Sequence, residues 1–331
     1  MPFARFGEAV TVRPSSLPVE LGPGPFSTSR ALGLGVPPQR LGRTDLTLVT
    51  RGVRAPAAPA TLVERAAAFT LGMPGDRAFS HLTAALLWGL PLPLAVEQAA
   101  AVDGAPLHVI APTGAGMAKR FGVVGHRGLE VRAVASPPGT GLRVVDAADT
   151  WCDLGELPRG TLSITDLVVV GDAVVALLDA RAGRPVGVPA LRGTLSARTR
   201  PRGAVALRQA LTLVRPGVRS PMETRARLMF VGAGFPEPEV NAPLTDAAGE
   251  WLAEGDLVWR RQRVVGEYQG EYHADRRQRS LDAFRRDLVE GHGWRVRELW
   301  AEDLHRGPRR RWALTRFAQA LDLDISTLRI A

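Results

Sequence analysis

The stretch Glu254–His273 reads EGDLVWRRQRVVGEYQGEYH and sets acidic residues inside two segments that are otherwise apolar. β-Branched and aromatic residues on both sides of the polar turn 260–262 favour two paired strands. A loop made of residues 261 and 262 places Asp256 directly opposite Glu267. Gln269 shares a face with Glu267, because side chains alternate along a strand. The pattern therefore predicts that these three polar side chains converge on one spot.

The opposed carboxylates require a positive charge between them. Directly opposed side chains on antiparallel strands stand about 5 Å apart at Cβ, and like charges there destabilise the pair. Hard carboxylate oxygens suit Mg²⁺, which binds through one or two carboxylates and keeps several waters. Acidic residues on the wet face of an exposed hairpin are also common. The residues alone leave both interpretations open, and the apolar flanks favour the metal site.

An Asp, a hairpin and then Glu-x-Lys, or a polar substitute for the Lys, is the core pattern of the PD-(D/E)XK nuclease superfamily, which this segment resembles. It is more closely similar to the very-short-patch-repair endonucleases, whose second strand reads E-x-D-G-x-x-H. Here the residues from Glu267 to His273 read EYQGEYH, with Gln269 in place of the Asp.

The resemblance implies that Asp256 and Glu267 bind Mg²⁺ (or Mn²⁺), that Gln269 orients the attacking water and that His273 handles a proton or a phosphate. Gln cannot act as a base, so His273 or the metal-bound water would have to accept the proton. From the residues alone, His273 is equally a solvated loop residue or a helix cap.

A capped helix precedes the hairpin. The residues Ser220-Pro221-Met222-Glu223 place Ser at the N-cap, Pro at the first helical position and Glu three residues after the cap, which predicts a capping box. Capping explains Glu223 fully as a structural residue. Members of the superfamily often contribute an acidic residue from this helix, so the resemblance also makes Glu223 a metal ligand.

The elements around the hairpin follow the order α-β-β-β-α-β. A strand is predicted over 237–242, a helix over 275–290 with Leu281, Phe284 and Leu288 on one face, and a further strand over 294–299. The order resembles the restriction-endonuclease-like fold over residues 218–305. Arg276 and Arg279 lie on the opposite face of the second helix, where they suit DNA phosphates but are also ordinary on a solvated face.

Near the amino terminus, two short helices and a β-hairpin are predicted between residues 26 and 53, with Ser27 or Ser29 as the first cap. This order resembles the winged helix of antitoxins from abortive-infection toxin–antitoxin systems. The resemblance makes Arg40, Arg43 and Arg51 phosphate contacts. A small structural cap with solvated arginines is the alternative.

The middle of the chain carries the phrases SHLTAA (80–85) and VVDAADTWCDL (144–154), which are similar to proteins widespread in actinobacteria that join this region to a carboxy-terminal nuclease-like domain. A helix is predicted from Ser80 to Trp88, with strands over 107–110 and 129–133. Ser80 and His81 are neighbours on that helix, so we expect no nucleophile–base pair between them. Asp172 is predicted to be a turn residue.

The predicted fold class is α+β or α/β and multidomain, since 331 residues suffice for two or three cores. The predicted segments are an irregular lead-in (1–23), a winged-helix-like region (24–60), a middle α/β region of unknown role (61–180), a basic linker or helix (181–217), an endonuclease-like domain with an αβββαβ core (218–305) and a basic C-terminal helix (306–331).

The net charge of +9 and the pI of about 11.1 indicate an anionic partner, with nucleic acid first. Residues 181–219 hold nine arginines and no acidic residue, which suits either a DNA-backbone contact or a linker made soluble by charge. No apolar run is long enough to span a bilayer and the amino terminus lacks a signal-peptide core, so we expect a cytoplasmic protein. Cys152, the single cysteine, is expected to be a packed core thiol.

Together these patterns predict a Mg²⁺-dependent DNA endonuclease with a role in DNA repair or phage defence. The alternative is a DNA-binding regulator of antitoxin type that cannot cleave and keeps the nuclease fold as a scaffold, which the Gln at position 269 favours. No residue excludes RNA as the substrate. Whether the chain forms a homodimer or binds another protein is left open.

Overall fold

The computed structural model describes residues 15–102, 104–116, 122–270 and 276–330, except for the side chains of residues 276–280 and 282. The protein is a mixed α/β protein with two compact units. Unit 1 contains the described residues up to Trp88 and the segment Ala95–Asp146, and unit 2 contains Gly89–Leu94 and the described residues from Ala147 onward. No helix in these described ranges is long and apolar enough to cross a membrane.

Unit 1 begins with two short helices and a small sheet. The elements are β1 (Phe26–Ser27), α1 (Thr28–Gly33), α2 (Pro38–Leu41), β2 (Thr47–Thr50) and β3 (Val53–Ala55). Ser27 caps α1, because its hydroxyl oxygen accepts a hydrogen bond from the backbone N–H of Arg30 at 3.2 Å. The strands are antiparallel in the order β1-β3-β2. Two short helices followed by a hairpin are thus present as predicted.

A five-stranded mixed sheet follows in unit 1. The elements are α3 (Leu62–Thr70), β4 (Ala78–Phe79), α4 (His81–Leu87), α5 (Leu94–Ala101), β5 (Leu107–Ala111), β6 (Val123–Arg127), β7 (Val134–Ala135) and β8 (Val144–Val145). The strand order is β6-β5-β4-β8-β7, with β5 and β6 parallel. The strand predicted over 129–133 is wrong. Gly128, at φ 96°, ends the extended chain after β6, and Leu129–Val131 forms a single 3-10 turn.

Four helices open unit 2: α6 (Ala147–Leu154), α7 (Ile164–Ala182), α8 (Gly187–Ala197) and α9 (Ala204–Leu213). Two of them lie within the arginine-rich stretch 181–219. Its Arg198 side chain is only 5% exposed and forms ion pairs with Asp149 and Asp153. Cys152 is buried, as expected. Asp172 is not a turn residue, because it lies inside α7 and is 1% exposed.

The rest of unit 2 is a four-stranded sheet with three helices. The elements are α10 (Pro221–Ala233), β9 (Glu239–Thr245), β10 (Trp251–Trp259), β11 (Val264–Gln269), α11 (Arg276–Gly291), β12 (Arg295–Trp300) and α12 (Pro308–Ala320). The order α-β-β-β-α-β from α10 to β12 is therefore the predicted one. The strands are arranged as β12-β11-β10-β9, with β12 parallel to β11 and the other pairs antiparallel.

The β10–β11 hairpin has the predicted register, although its loop is longer than predicted. Leu257 pairs with Gly266, Val258 with Val265, and Trp259 with Val264. The connection is a 3-10 turn over Arg260–Gln262 followed by Arg263 at φ 49°. Residues 260 and 263, one on each side of the predicted loop, join the turn, and the three observed cross-strand pairs keep the predicted register.

Apolar side chains cover both faces of this sheet. On one face, Phe230 of α10 and Phe317 of α12 pack against Trp259 of β10. On the other face, Val289 of α11 packs against Val258, Val265 and Val296 of the strands. The apolar face predicted for α11 is wrong in part, since Leu281 is 55% and Phe284 is 68% exposed, and Val289 is buried among the described side chains of this helix.

We predict that Phe317→Ala lowers the free energy of unfolding by about 3–5 kcal/mol, because it leaves a cavity in a packed core. Phe317 is fully buried and its ring centroid lies 4.7 Å from that of Phe230. Chemical denaturation followed by circular dichroism measures the change. The exposed Phe284 provides the control, since Phe284→Ala should change stability by no more than about 0.5 kcal/mol. Equal effects of the two changes would contradict this packing.

Candidate functional site

Asp256 lies where the two strands of the hairpin separate. Continued by one residue, the hairpin register places Asp256 across from Glu267, as predicted. Its carboxylate also accepts a hydrogen bond from the backbone of the opposite strand. The backbone N–H of Tyr268 donates a hydrogen bond to Asp256 Oδ2 at 2.8 Å. Side chains two residues apart share a face, so Asp256 and Glu267 lie on the α11 side of the sheet with Val258 and Val265.

Helix α11 brings two guanidinium groups to this face. Arg285 Nη2 donates a hydrogen bond to Glu267 Oε1 at 2.7 Å. Glu298 lies beside Glu267 on the parallel strand β12 and forms an ion pair with Arg286. The positive charge that the opposed carboxylates require is therefore supplied at least in part by the protein itself.

Glu223 approaches the same region from the first turn of α10. The Ser220 hydroxyl accepts a hydrogen bond from the Glu223 N–H at 3.2 Å, so the predicted serine cap is present. The reciprocal half of the predicted capping box differs. Glu223 Oε2 accepts from the backbone N–H of Arg219 at 3.0 Å, rather than from that of Ser220, and also from Asn241 Nδ2 at 2.6 Å. The side chain is 7% exposed, so this is a buried carboxylate at the edge of the sheet.

The pKa of Asp256 is raised to about 6, chiefly by burial and in addition by the nearby carboxylates of Glu223 and Glu267. The hydrogen bond from Tyr268 and the charge of Arg285 act in the opposite direction. The Asp256 carboxyl therefore lies within the electrostatic reach of two other acidic groups. Such a perturbed carboxyl is typical of functional sites, although structural ion-pair networks also produce it.

Asn241 is a residue of this site that the sequence analysis missed. Its backbone has φ 46°, and the β9–β10 register places it across from Asp256. Its side-chain amide joins the carbonyl oxygen of Gly217, at 2.9 Å, to the carboxylate of Glu223. Asn tolerates left-handed backbone better than most residues. An Asn within a run of strand-forming residues is the signal that could have identified it.

The acidic residues that the structure describes do not form a closed three-ligand cage. Among the described residues, one group of three histidine, cysteine or acidic side chains has ligand atoms that all lie within 4.8 Å of one another, and it consists of His81, His108 and His126 in unit 1. Gln269 is half-buried at the end of β11, in register with Trp300. His273 lies outside the described residues.

The predicted phosphate-binding arginines differ in their availability. Arg40 is 8% exposed, and its guanidinium is engaged by Asp45 at 2.7 and 3.0 Å and by the carbonyl oxygen of Ser15, so a phosphate would have to displace these partners. Arg43 and Arg51 are exposed. The side chains of Arg276 and Arg279 lie outside the described part of the chain.

The expectation that Ser80 and His81 form no nucleophile–base pair assumed a regular helix, and the structure departs from one at these two residues. Ser80 is extended at the N-cap of α4 and His81 has φ 49°, so the two side chains turn toward each other and Ser80 Oγ lies 3.0 Å from His81 Nδ1. Both side chains are buried. A regular helix would have kept them apart.

Comparison with known proteins gives a partial match. The chain is 33% identical over 123 residues to two proteins of Mycobacterium tuberculosis, from strains CDC 1551 / Oshkosh and H37Rv, each described as an uncharacterized protein. The match covers 37% of this chain and 44% of each relative, so the chain spans less than half the length of the curated relatives. No protein-family model and no solved structure matches the chain. These findings show distant partial homology and carry no activity with them.

We predict that Asp256→Asn removes a pH-dependent loss of stability. The folded-state pKa of Asp256 is about 6 and exceeds the usual 3.8. The protonated carboxyl therefore stabilises the fold fully below pH 3.8, and this stabilisation is lost as the pH rises through about 6. The variant should therefore gain about 2–3 kcal/mol relative to the wild type between about pH 4 and pH 7. Denaturant titrations of both proteins across this range measure the difference. A difference that does not change with pH would contradict the burial of this carboxyl.

Proposed function

We propose that residues 218–305 act as a divalent-metal-dependent DNA endonuclease, with Asp256 and Glu267 as its metal-binding carboxylates. The observation that carries the proposal is the position of Asp256, a half-buried carboxyl on the same face of the hairpin as Glu267, with a pKa that burial and the carboxylates of Glu223 and Glu267 raise. Concentrated negative charge of this kind favours a cation. The α-β-β-β-α-β element order around the site supports the same proposal.

The donor atoms fit Mg²⁺ or Mn²⁺, because carboxylate oxygens are the preferred ligands of both ions. Asp256 and Glu267 would hold the ion, with Glu223 contributing from α10. A bound ion would supply charge stabilisation and an activated water for phosphodiester hydrolysis. Glu267 must exchange its ion pair with Arg285 for the metal, which leaves a guanidinium on α11 that can bind a phosphate bidentately.

The protein's other groups have defined parts in this proposal. Gln269, at the carboxyl end of β11, would orient a water through its amide, and the protein's positive charge would attract the DNA backbone. Arg43 and Arg51, both exposed in the amino-terminal helix–helix–hairpin region, would add phosphate contacts in the manner of a winged helix. Because its motifs resemble those of repair endonucleases and abortive-infection antitoxins, we include DNA repair and phage defence as the roles in this proposal.

A second candidate is a DNA-binding regulator of antitoxin type that keeps this fold without cleaving. Two observations favour it: position 269 carries an amide where the nuclease pattern has an ionisable group, and Arg285 already neutralises Glu267. In this case the carboxylates and guanidinium groups form a structural ion-pair network. DNA binding would then persist without metal and would weaken steeply as salt increases. RNA as the substrate is a further variant of either candidate.

Cleavage assays test the proposed endonuclease. Supercoiled, linear, mismatched and single-stranded DNA, together with a single-stranded RNA, are incubated with the full chain in Mg²⁺, Mn²⁺ or EDTA. We expect metal-dependent cutting of DNA that falls at least about a hundred-fold in Asp256→Ala and in Glu267→Ala, because each removes a metal ligand. Glu302→Ala, which removes an exposed acidic side chain, should cut like the wild type.

The outcomes separate the two candidates. If Asp256→Ala and Glu267→Ala still cut DNA as the wild type does, these carboxylates are not the metal ligands. If the wild type binds DNA but cuts none of these substrates with either metal, and both variants bind DNA equally well, the regulator replaces the endonuclease as the function.

A further inference from the structure

Three histidine side chains meet in unit 1, far along the chain from the acidic residues of the hairpin. His81 is the first residue of α4, His108 lies in β5 and His126 lies in β6. Their ligand atoms all lie within 4.8 Å of one another. His108 Nδ1 is 3.0 Å from His126 Nε2, and the rings of His81 and His126 stack with centroids 3.5 Å apart. Nothing in the proposed endonuclease uses this cluster.

The topology of the five-stranded sheet brings the three residues together. In the parallel β5–β6 pair, His108 aligns with Val124 and Ile110 aligns with His126, so the two histidines are diagonal neighbours on one face. The third histidine follows the end of β4, which is antiparallel to β5. The cluster therefore depends on pairings between three separate segments and does not arise from local sequence.

Hydrogen bonds of the residues on either side of His81 hold the start of α4 against β5. The N–H of Ser80 donates to the carbonyl oxygen of His108 at 3.0 Å. In return, the N–H of His108 donates to Thr83 Oγ1 at 2.8 Å. The start of α4 is thus docked on the middle of β5, which fixes where the His81 ring lies.

His81 also has a strained backbone. It is 1% exposed and adopts φ 49°, a left-handed conformation that costs a non-glycine residue about 1–3 kcal/mol. The contact of Ser80 Oγ with Nδ1 at 3.0 Å restricts the orientation of the His81 ring. Strain at a buried residue with an oriented imidazole is typical of a functional position.

We propose that His81, His108 and His126 bind one first-row transition-metal ion of the Zn²⁺ class. Three imidazole nitrogens suit Zn²⁺, Co²⁺, Ni²⁺ or Cu²⁺ and do not suit Mg²⁺ or Ca²⁺, which take oxygen ligands. Tetrahedral binding with metal–nitrogen distances of about 2.0–2.1 Å places the nitrogens about 3.4 Å apart. The present separations, from 3.0 Å to at most 4.8 Å, bracket this spacing, and the rings, which now stack, would have to turn about their side-chain bonds to face one ion.

The metal would replace the contact between His108 and His126 with bonds from both rings to one ion. Within the described residues the group has three members, so the fourth tetrahedral position falls to water or to an exogenous anion. Arg132 is the unfavourable neighbour, because its positive charge acts on His126. Its guanidinium is held by the carbonyl oxygen of Gly128 at 2.6 Å. In this proposal the three metal–nitrogen bonds outweigh the repulsion between the Arg132 guanidinium and the metal cation. Arg132→Gln removes this repulsion and should therefore tighten metal binding.

The bound ion would connect the start of α4 to β5 and β6, so it would stabilise unit 1 whatever the hairpin site does. This separates the two proposals, because the acidic site is built from oxygen donors in unit 2. Loss of DNA cleavage on Asp256→Ala with zinc binding intact would leave the present proposal unchanged.

A metal titration of the full chain tests the site. The protein is stripped with a chelator and titrated with Zn²⁺ by calorimetry and with Co²⁺ by visible absorption, which identifies tetrahedral nitrogen coordination. We expect one equivalent with a dissociation constant of about 1 μM or tighter. His108→Gln and His126→Gln should weaken binding at least about a hundred-fold. His81→Asn, which tolerates the left-handed backbone, should do the same.

The matched control is His292→Gln. This histidine is exposed on unit 2, with Nδ1 at 2.8 Å from the carbonyl oxygen of Leu288, and its loss should leave the stoichiometry and affinity unchanged. Zn²⁺ should also raise the melting temperature of the wild type and of His292→Gln, but not of the cluster variants. This second measurement remains informative if a cluster variant is less stable.

Three results would overturn the proposal. The first is a stripped wild type that binds neither Zn²⁺ nor Co²⁺ in the micromolar range. The second is binding that His292→Gln weakens as much as His126→Gln does. The third is binding that the cluster variants retain. If the wild type binds no metal and the cluster variants are less stable than the wild type, the first of these results applies and the three rings form a structural stack instead of a metal site.

Discussion

A buried ion pair between two helices fixes the architecture of unit 2. Arg227 of α10 is fully buried, and its Nη2 contacts Asp172 Oδ2 of α7 at 3.1 Å and the carbonyl oxygen of Leu213 at 2.8 Å. Nη1 reaches Glu237, just before β9, at 2.9 Å, and the Thr224 hydroxyl donates to Asp172 at 2.8 Å. Removing one member of such a pair costs about 3–5 kcal/mol, because the remaining charge is buried alone. The helices and the first strand of the sheet are therefore held in one arrangement, and α10 presents its acidic first turn at a defined place.

Local patterns in the sequence were sufficient for the hairpin and its neighbours. The alternation of apolar and acidic residues around 256–267 has a period of two, and shifting the pairing by one residue would expose Val258 and Val265. The register therefore followed from burial, even though the turn was wrongly assigned. The cap at Ser220 could also be predicted from local sequence. The side chains of a Ser-Pro-x-Glu motif satisfy the N-terminal N–H groups of a helix by purely local contacts.

Long-range contacts decided the features that the sequence did not reveal. Arg40 looks like a surface arginine by composition, and only the fold shows that Asp45 and the Ser15 carbonyl enclose it. His108 and His126 carry no spacing motif, because a parallel strand pairing brings them together. Placing the strand at 129–133 instead of 123–127 moved His126 into a loop and concealed the cluster. The apolar residues of α11 show the same limit, since helical spacing identifies an apolar face but not whether another element covers it.

Along its middle, helix α11 contacts the sheet through two ion pairs. Phe284 is exposed and Val289 is the buried apolar anchor near the carboxyl end, whereas Arg285 and Arg286 bind Glu267 and Glu298 of the strands. Anything that takes the carboxylate of Glu267 must compete with this helix for it. Ligand occupancy at Glu267 and the docking of α11 are therefore thermodynamically linked, so that each weakens the other.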